Sequence, residues 1–593
     1  MISGNPSPLS SPIDAATQRA LEQLVRPLSA TQIAWLSGYL AQLAEQTVAN
    51  AAEDEPAEVV TILYGSQGGN TKGLAERLHA RAQADGIGTH LLSMAELAPR
   101  KLAKLQRVIL LTSTHGEGEP PESAYALHAF VMDPEAPRME SLQFAVIGLG
   151  DSSYEHYCQT AVDFDRRLAQ LGARRMLPLQ CCDVEYEADA QRWQTDVLGR
   201  LAALGAKRRA TVAARPLERG EPPASYTKEN PYAATLLENR RITTLDAVAD
   251  VRHLALGVDP RSVRYRPGDT LGVCFRNDPA LVDRILEHLG LDASSPVSQD
   301  DSVQALGQVL TERLELTQVH PTTVRRWSEH AQASQLQAII ADPAKLRDYA
   351  RRRQLIDLIR DFPASIDADA LSGLLPRLQP RLYSIASSQA EVDDEIHLTV
   401  AVVRYRRAGE LRLGGASGFL AERLRPNDSL AVYPVDNSSF HLPTPSGVDI
   451  IMIGAGTGIA PYRGFLQERA ATDDRGRNWL LFGNRHFQRD FLYQLDWQAQ
   501  RKAGLLDRVS LAFSRDRAQK VYVQDRLRSE ASELFRWLEE GAHLYVCGAT
   551  EMGEAVHQAL IDVVGREGGL QEDAATDYID TLRREARYHR DLY

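Results

Sequence analysis

The chain has 593 residues, of which 44% are hydrophobic and 25% charged, and its formal net charge is -12 at neutral pH. That length exceeds what one hydrophobic core serves and predicts several domains. The ordinary composition excludes a largely disordered or fibrous protein, and the acidic balance without a basic block excludes a dedicated nucleic-acid binder.

The five cysteines, Cys158, Cys181, Cys182, Cys274 and Cys547, show neither a CxxC pair nor zinc-site spacing. That pattern fits a reducing compartment. The N-terminus lacks the basic and apolar regions of a signal peptide, and no apolar run approaches the ~20 residues that span a bilayer. A soluble, cytoplasmic protein without a membrane anchor is expected.

Residues 1–55 read as a loose Ser/Pro segment followed by a short amphipathic helix with Ile33, Trp35, Leu36, Tyr39 and Leu40, capped by Ser29 or Thr31. It is either an assembly element or a helix packed back on its own chain. The Ala-rich acidic stretch 50–58 reads as a linker.

Over residues 56–205 strands and helices alternate, which predicts a doubly wound parallel sheet covered on both faces. Strands are expected at 59–64, 107–112, 144–147 and 175–179, with a helix at 70–84. Three loops follow successive strands, where such sheets bind ligands. In the first, Ser66, Gln67, Gly68, Gly69, Asn70 and Thr71 combine hydroxyls, small residues and helix N-terminal amides into a phosphate cradle. The second carries Ser113, Thr114, His115 and Gly116. The third runs through Leu149, Gly150, Asp151, Ser152, Ser153, Tyr154, Glu155, His156, Tyr157 and Cys158, with Tyr154 placed to stack on a flat ring. Each loop alone is open to a reading as turn chemistry; the three together predict a bound mononucleotide such as FMN.

A basic, Pro-containing linker is expected at 206–225. Residues 226–445 then change to short strands with polar turns, including 241–244, 251–256 and 397–405, which predicts an antiparallel barrel. A helical subdomain interrupts it at about 279–370, with helices at 281–289 and 346–359. In the strand Arg381, Leu382, Tyr383, Ser384 the period of two puts a cation beside an aromatic ring, a pairing suited to a flavin dinucleotide. The Ser384 hydroxyl is within reach of a ring nitrogen. Downstream, Gly414, Gly415, Ala416 and Ser417 open a helix whose amides suit the pyrophosphate.

Over 446–593 a strand at 449–453 runs into a glycine-rich turn holding Gly456 and Thr457. The spacing is not GxGxxG, and a packing turn remains an alternative. After a later strand come Ser514 and Arg515, then Lys520, Val521, Tyr522, Val523 and Gln524. Two cations, a hydroxyl and a ring suit an adenosine bearing an extra phosphate, so NADPH is favoured over NADH. Cys547 ends a strand, where it is either a sulfur beside a nicotinamide or a small core residue. The last residue, Tyr593, either frays or covers a flavin ring. Residues 115–160 hold eight carboxylates, at 117, 119, 122, 133, 135, 140, 151 and 155, against Arg138. They predict an acidic rim that steers a basic partner, with a merely soluble face as the alternative.

In this order the motifs resemble the diflavin reductase family: a flavodoxin-like domain fused to an FAD-binding barrel and a ferredoxin-reductase-like NADP-binding domain. Within the family, the leader around Thr31 to Tyr39 and the terminal Tyr593 look most like the flavoprotein (alpha) subunits of assimilatory NADPH-sulfite reductases. The resemblance implies electron flow from NADPH through FAD and FMN to a haemoprotein (beta) subunit carrying sirohaem, and homo-oligomerisation through the N-terminal region. Another haem acceptor, or a flavin-bearing assembly subunit, is the alternative. The resemblance assigns the three early loops to FMN. It assigns Arg381 to Ser384, Thr399, Val400, Ala401, Tyr405, Gly414 to Ser417 and Tyr593 to FAD, and Ser514, Arg515 and 520–524 to NADPH. Ser384, Cys547 and Asp591 match the hydride-transfer group. Departures from the family pattern are His115 in place of a stacking Tyr, Gly68 in place of a Thr, and Ala549 and Ala555 in place of acids.

Overall fold

The run Val-Ile-Leu-Leu-Thr at 108–112 is apolar at both alternating faces, which an isolated strand cannot satisfy and a strand covered on both sides can. It forms the centre of β3 (Arg107–Ser113), every residue of which but the last is buried. It shares a wholly parallel sheet with β1 (Val60–Gly65), β2 (Thr89–Ser93), β4 (Gln143–Leu149), β5 (Arg174–Arg175) and β6 (Gln180–Cys182). The order β2-β1-β3-β4-β5, with β6 also on β4, reverses direction between β1 and β3. Helices α1 (Asn70–Ala84), α2 (Glu122–Met132), α3 (Gln159–Gln170) and α4 (Glu187–Ala203) cover the two faces. Burying each large aliphatic side chain there contributes ~1.5–3 kcal/mol.

The computed structural model describes residues 59–66, 68–115, 118–204, 226–299, 302–444, 446–472, 474 and 476–593, and Val60–Tyr593 form one compact unit. The expected N-terminal helix, both linkers, Gln67, Gly116 and Glu117 lie outside the described residues.

A second sheet is antiparallel, in the order β12-β9-β16-β7-β8-β13. Its strands are β7 (Tyr232–Arg241), β8 (Val251–Gly257), β9 (Thr270–Val273), β12 (Arg381–Ser384), β13 (Glu395–Ala401) and β16 (Ser429–Val435). A bridge between Ile385 and Leu398 joins its two edges and closes the barrel. Between β9 and β12 a helical subdomain packs around its own core, centred on Trp327 and Leu358. It comprises α5 (Pro279–Leu289), the hairpin β10 (Pro296–Gln299) and β11 (Ser302–Ala305), α6 (Leu306–Glu312), α7 (Pro321–His330), α8 (Ser334–Ile340), α9 (Pro343–Arg351), α10 (Leu355–Asp361) and α11 (Ala368–Leu374). Asp278 caps α5, where Pro279 needs no amide partner, and Gly290 ends it at φ 65°. The hairpin β14 (Arg404–Arg407) and β15 (Glu410–Leu413) extends from the barrel.

The third sheet, β19-β18-β17-β20-β21, is wholly parallel. It comprises β17 (Ile450–Ala455), β18 (Asn478–Asn484), β19 (Arg508–Phe513), β20 (His543–Gly548) and β21 (Tyr588–Leu592). Flanking helices include α12 (Ala460–Thr472), α13 (Val523–Ser529), α14 (Thr550–Gly568) and α15 (Glu572–Arg584).

Several sequence expectations shift. Edge strand β2 was not anticipated, because its side chains are mostly only half buried and carry no core pattern. The sheet ends at β6 rather than at 175–179. The strand expected at 241–244 ends at Arg241, since β7 begins at Tyr232. The single helix expected at 346–359 is two: Gln354 and Asp357 form a capping box that restarts the chain as α10. The strand expected at 397–405 breaks at 402–403, where Val402 N–H turns to Asp250 O and Val403 N–H donates to Ser417 Oγ. The C-terminus does not fray, because β21 adds to the sheet and Tyr593 N–H donates to Gly548 O at 3.0 Å.

Candidate functional site

Two cavities meet where the first sheet faces the barrel. The first, about 430 Å³, lies at the β1/β3 switch point, the place where open parallel sheets leave a ligand crevice. Its walls include Ser66, Gly68, Asn70, Thr71, Ser113, Thr114 and His115, then Leu149, Gly150, Asp151, Tyr154, His156, Tyr157 and Cys158. Gly69 N-caps α1 at φ 81°, a conformation open to glycine, and offers no side-chain cap, which leaves the first-turn amides for a ligand. Ser66 Oγ, Thr71 Oγ1 and Ser113 Oγ are buried without a hydrogen-bond partner among the described residues. Orphaned buried hydroxyls are costly unless something completes them. Three of them beside a helix N-terminus match the acceptor-rich oxygens of a phosphate monoester. Tyr154, 53% exposed, offers its ring face at the mouth.

Ser152 and Ser153 do not line this cavity. Ser152 donates through its amide and hydroxyl to Asp183 at 3.0 and 2.6 Å, and Ser153 N–H donates to Asp151 at 2.8 Å, so both shape the loop instead. Glu155 points to solvent. The second cavity, about 710 Å³, is walled by Arg381, Leu382, Tyr383 and Ser384 of β12, by Thr399 and Ala401 of β13, by Tyr405, and by Gly414 to Ser417. Val400, fully buried in the barrel core between them, presents no side chain to it, as strand alternation requires. A short helical turn, Gly415–Gly418, directs its amides to the cavity, with Ser417 Oγ accepting from Val403 N–H at 3.1 Å. Arg381 donates to Gln318 at 2.9 Å and lies 3.7 Å from Glu315, leaving part of its fork open.

At the inner end of this cavity three elements distant in sequence converge. Ser384 Oγ donates to Asp591 Oδ2 at 2.9 Å, and Cys547 Sγ donates to the same oxygen at 3.7 Å. Burial raises the Asp591 carboxyl above its ordinary range, against the pull of the Ser384 hydrogen bond. Burial likewise pushes the Cys547 thiol well up, and the Asp591 charge adds to it. Cys547 is a fully buried neutral thiol behind Asp591, with Asp591 itself on the cavity wall. Tyr593 OH pairs with Thr457 Oγ1 at 2.7 Å, fixing the terminal ring over the cavity mouth.

The two cavities share five lining residues, Gly68, His115, Arg381, Leu382 and Tyr593, so they adjoin across a single layer of side chains. His115 sits in that layer. Burial lowers its imidazole pKa despite Asp591 and Glu119 nearby, so it is neutral at pH 7.

A third cleft, about 420 Å³, opens at the carboxyl end of the third sheet and brings together Gly456, Ser514, Arg515, Lys520, Tyr522, Val523 and Gln524. Val521 does not line it. No carboxylate pairs with Arg515 or Lys520 among the described residues, as an anion site needs. Gly458 is obligatory: a Cβ there would lie 2.0 Å from the Cys547 carbonyl oxygen, so the turn can lie against β20 only without a side chain.

Sequence reading missed several wall residues. Asp183, Lys228 and Tyr433 reach the first cavity, Arg351, Arg353 and Asn437 the second, and Asn484, Arg485 and Met552 the third. Most lie on elements far from any motif. The Asp183-Val184 pair directly after β6 was findable as a fourth loop at a strand's carboxyl end.

The acidic rim is only partly free. Glu122 takes a bidentate hydrogen bond from Arg583 at 2.7 and 2.9 Å, Glu119 lies 3.0 Å from Arg590, and Asp151 lies 3.5 Å from His320. Tyr125 OH donates to Asp580 at 2.7 Å, and the Arg583 guanidinium lies 3.4 Å from the Tyr125 ring centroid. These contacts hold the first sheet's module against α15 and the helical subdomain.

Three families match in chain order: Flavodoxin over residues 62–193, FAD binding domain over 224–419 and Oxidoreductase NAD-binding domain over 452–558. The chain is therefore a flavoprotein oxidoreductase with sites for FMN, FAD and NADPH. It is 48% identical over 580 residues to a protein of Thiocapsa roseopersicina, covering 96% of each chain. It is 43% identical to one of Vibrio parahaemolyticus, covering 100% of this chain and 97% of that one, and 44% identical to one of Cronobacter sakazakii, covering 98% of each. All three relatives are named sulfite reductase (NADPH) flavoprotein alpha-component.

Proposed function

The chain belongs to the family of sulfite reductase (NADPH) flavoprotein alpha-components, and on that premise we propose that it delivers electrons to the sirohaem-bearing beta subunit that reduces sulfite to sulfide. The observation that carries the proposal is the shared wall of the first two cavities, which sets an FMN site against an FAD site with a third, cationic cleft behind them. When bound, NADPH would supply hydride equivalents and the two flavins the means of passing them on as single electrons.

The chain's own residues bind, orient and exclude water. Ser66, Thr71, Ser113 and the α1 amides hold the FMN phosphate. Arg381 and the Gly415–Gly418 turn hold the FAD pyrophosphate. Ser514, Arg515, Lys520 and Tyr522 select the extra phosphate of NADPH. The Ser384 hydroxyl and Asp591, whose carboxylate is held between Ser384 and Cys547, would stand at the inner end of the FAD site, where an ionised Asp591 would steady cationic character on a bound nicotinamide. Tyr593, held by Thr457, would cover the face that a bound nicotinamide needs, and the two would then exchange.

The module boundaries follow as 56–205 for FMN, 226–445 for FAD with its helical insertion, and 446–593 for NADPH. The N-terminal 1–55 serves homo-oligomerisation. No described helix is long and apolar enough to cross a membrane, and a cytoplasmic site of action is part of the proposal.

Flavin extraction tests the architecture, and yields of both FMN and FAD are expected; a single flavin refutes it. Rapid NADPH-dependent reduction of cytochrome c is expected of a reductase, and its absence with both flavins bound supports an assembly subunit instead. Mixing with a sirohaem protein and measuring NADPH-dependent sulfide formation decides the acceptor.

A further inference from the structure

Beside the first cavity lies a thiol pair that the electron path does not use, one member of which, Cys158, lines the cavity. Cys158 N-caps α3 with φ 54°, is fully buried and lines the cavity. Cys181, in the middle of β6, is paired in register with Gly148 of β4 and is partly exposed. A Cβ on Gly148 would lie 2.5 Å from Ala161 Cβ, 3.3 Å from Cys158 Cβ and 3.4 Å from its Sγ, so the Cys158 side chain lies, with Ala161, against the face on which a side chain at 148 would stand. Residues in register on adjacent parallel strands point to the same face about 4.8 Å apart. The Cys181 side chain therefore emerges on the face of the sheet against which Cys158 packs.

Cys182, next along the strand, faces the opposite side and is buried in the core, but its carbonyl oxygen lies 3.8 Å from Cys158 Sγ. The Cys158 sulfur thus lies directly against the backbone that carries Cys181. Glycine at 148 lets the start of α3 lie this close to β4, with Ala161 the nearer neighbour and Cys158 beside it.

We propose that Cys158 and Cys181 are a peroxide-sensitive pair that closes to a reversible disulfide anchored at Cys158 on the FMN cavity. The interaction of the two neighbouring thiols lowers the Cys181 pKa and raises that of Cys158, which makes the more exposed sulfur the better thiolate. The oxidant is hydrogen peroxide. The Cys181 thiolate attacks one peroxide oxygen, the O–O bond breaks, and the departing hydroxide takes a proton to leave as water, giving a sulfenic acid at Cys181. The Cys158 sulfur, its proton passed to the sulfenic oxygen, then attacks the Cys181 sulfur; the S–S bond forms, the S–O bond breaks and a second water leaves. Two thiols lose two electrons and the peroxide gains them. The new bond staples the 150–158 loop, with Tyr154 and Tyr157, to the edge of the sheet.

The test uses the full-length holoprotein treated with a small excess of hydrogen peroxide, followed by denaturing thiol titration and non-reducing peptide mapping. Two of the five thiols should disappear, a peptide joining Cys158 to Cys181 with the loss of two hydrogens should form, and dithiothreitol should restore both. Cys181→Ser should keep its remaining thiols under the same treatment, and Cys182→Ser should cross-link as the parent does. Overoxidation of Cys181 without a cross-link, a bond joining Cys181 to Cys182 or to a second chain, or an equal thiol loss in Cys181→Ser would each overturn the proposal.

Discussion

Removing the carboxylate of Glu122 should undock the FMN module from the C-terminal helix. Glu122 opens α2, Arg583 lies near the end of α15, and their side chains are only 12% and 7% exposed in the docked state. Burial opposes a charged Arg583, yet the Glu122 charge and hydrogen bonds more than offset it and hold the guanidinium pKa above its ordinary value. Glu122→Ala leaves that cation buried without its partner. Breaking such a pair costs ~3–5 kcal/mol if the geometry persists. At 1.36 kcal/mol per decade this is a loss of about two to four orders of magnitude in the docking equilibrium.

The chain can evade the full cost by separating the two surfaces, so the expected readouts are a larger radius of gyration by small-angle scattering and faster amide exchange in α2 and α15. Flavin content serves as the control for local damage, because neither Glu122 nor Arg583 lines a cavity. Arg583→Ala combined with Glu122→Ala removes both charges and should undock less than Glu122→Ala alone. If Glu122→Ala scatters and exchanges like the parent, or if the double variant is the worse of the two, the reasoning from an uncompensated buried cation is wrong.

Three further outcomes follow from the site. Thr71→Val and Ser66→Ala should each weaken FMN binding by ~1.5–3 kcal/mol, the worth of one hydrogen bond to a charged group, with FAD content unchanged; dialysis followed by flavin analysis measures it, and full FMN retention counts against the phosphate cradle. For His320, burial lowers the pKa but Asp151, Asp183 and Glu315 more than offset it, so the folded-state value is raised. Its stabilisation is then complete below about pH 6.5 and is lost as pH rises through the folded value, so the melting-temperature gap between parent and His320→Gln should shrink from pH 6 to pH 9; a pH-independent gap contradicts this. Tyr593→Ala removes a 2.7 Å hydrogen bond and a ring that competes with the nicotinamide, and should tighten NADPH binding by ~1–2 kcal/mol, roughly 5–30-fold; unchanged affinity argues against the exchange.

What local pattern could express was legible. The loops after β1, β3 and β4 were readable because a phosphate site is built from contiguous small and hydroxyl residues at a helix start, and the Gly415–Gly418 turn for the same reason. The family resemblance assigned Thr399, Val400 and Ala401 together, but strand alternation puts only Thr399 and Ala401 at the second cavity and sends Val400 into the core. The acidic count over 115–160 was correct as composition, yet composition does not say which partner a carboxylate meets, and Glu119, Glu122 and Asp151 meet their own chain.

The order of the chain's own residues therefore determined three nucleotide-binding modules and most of the side chains that line them, because each module's cradle is short-range and periodic. Only the folded unit brought Ser384, Cys547 and Asp591 onto one carboxylate oxygen, laid Tyr593 against Thr457, and set Cys158 over Gly148 beside Cys181. Those meetings join residues up to about two hundred positions apart. They depend on which sheet edges and loops pack together, a property of the whole buried surface that no local spacing encodes.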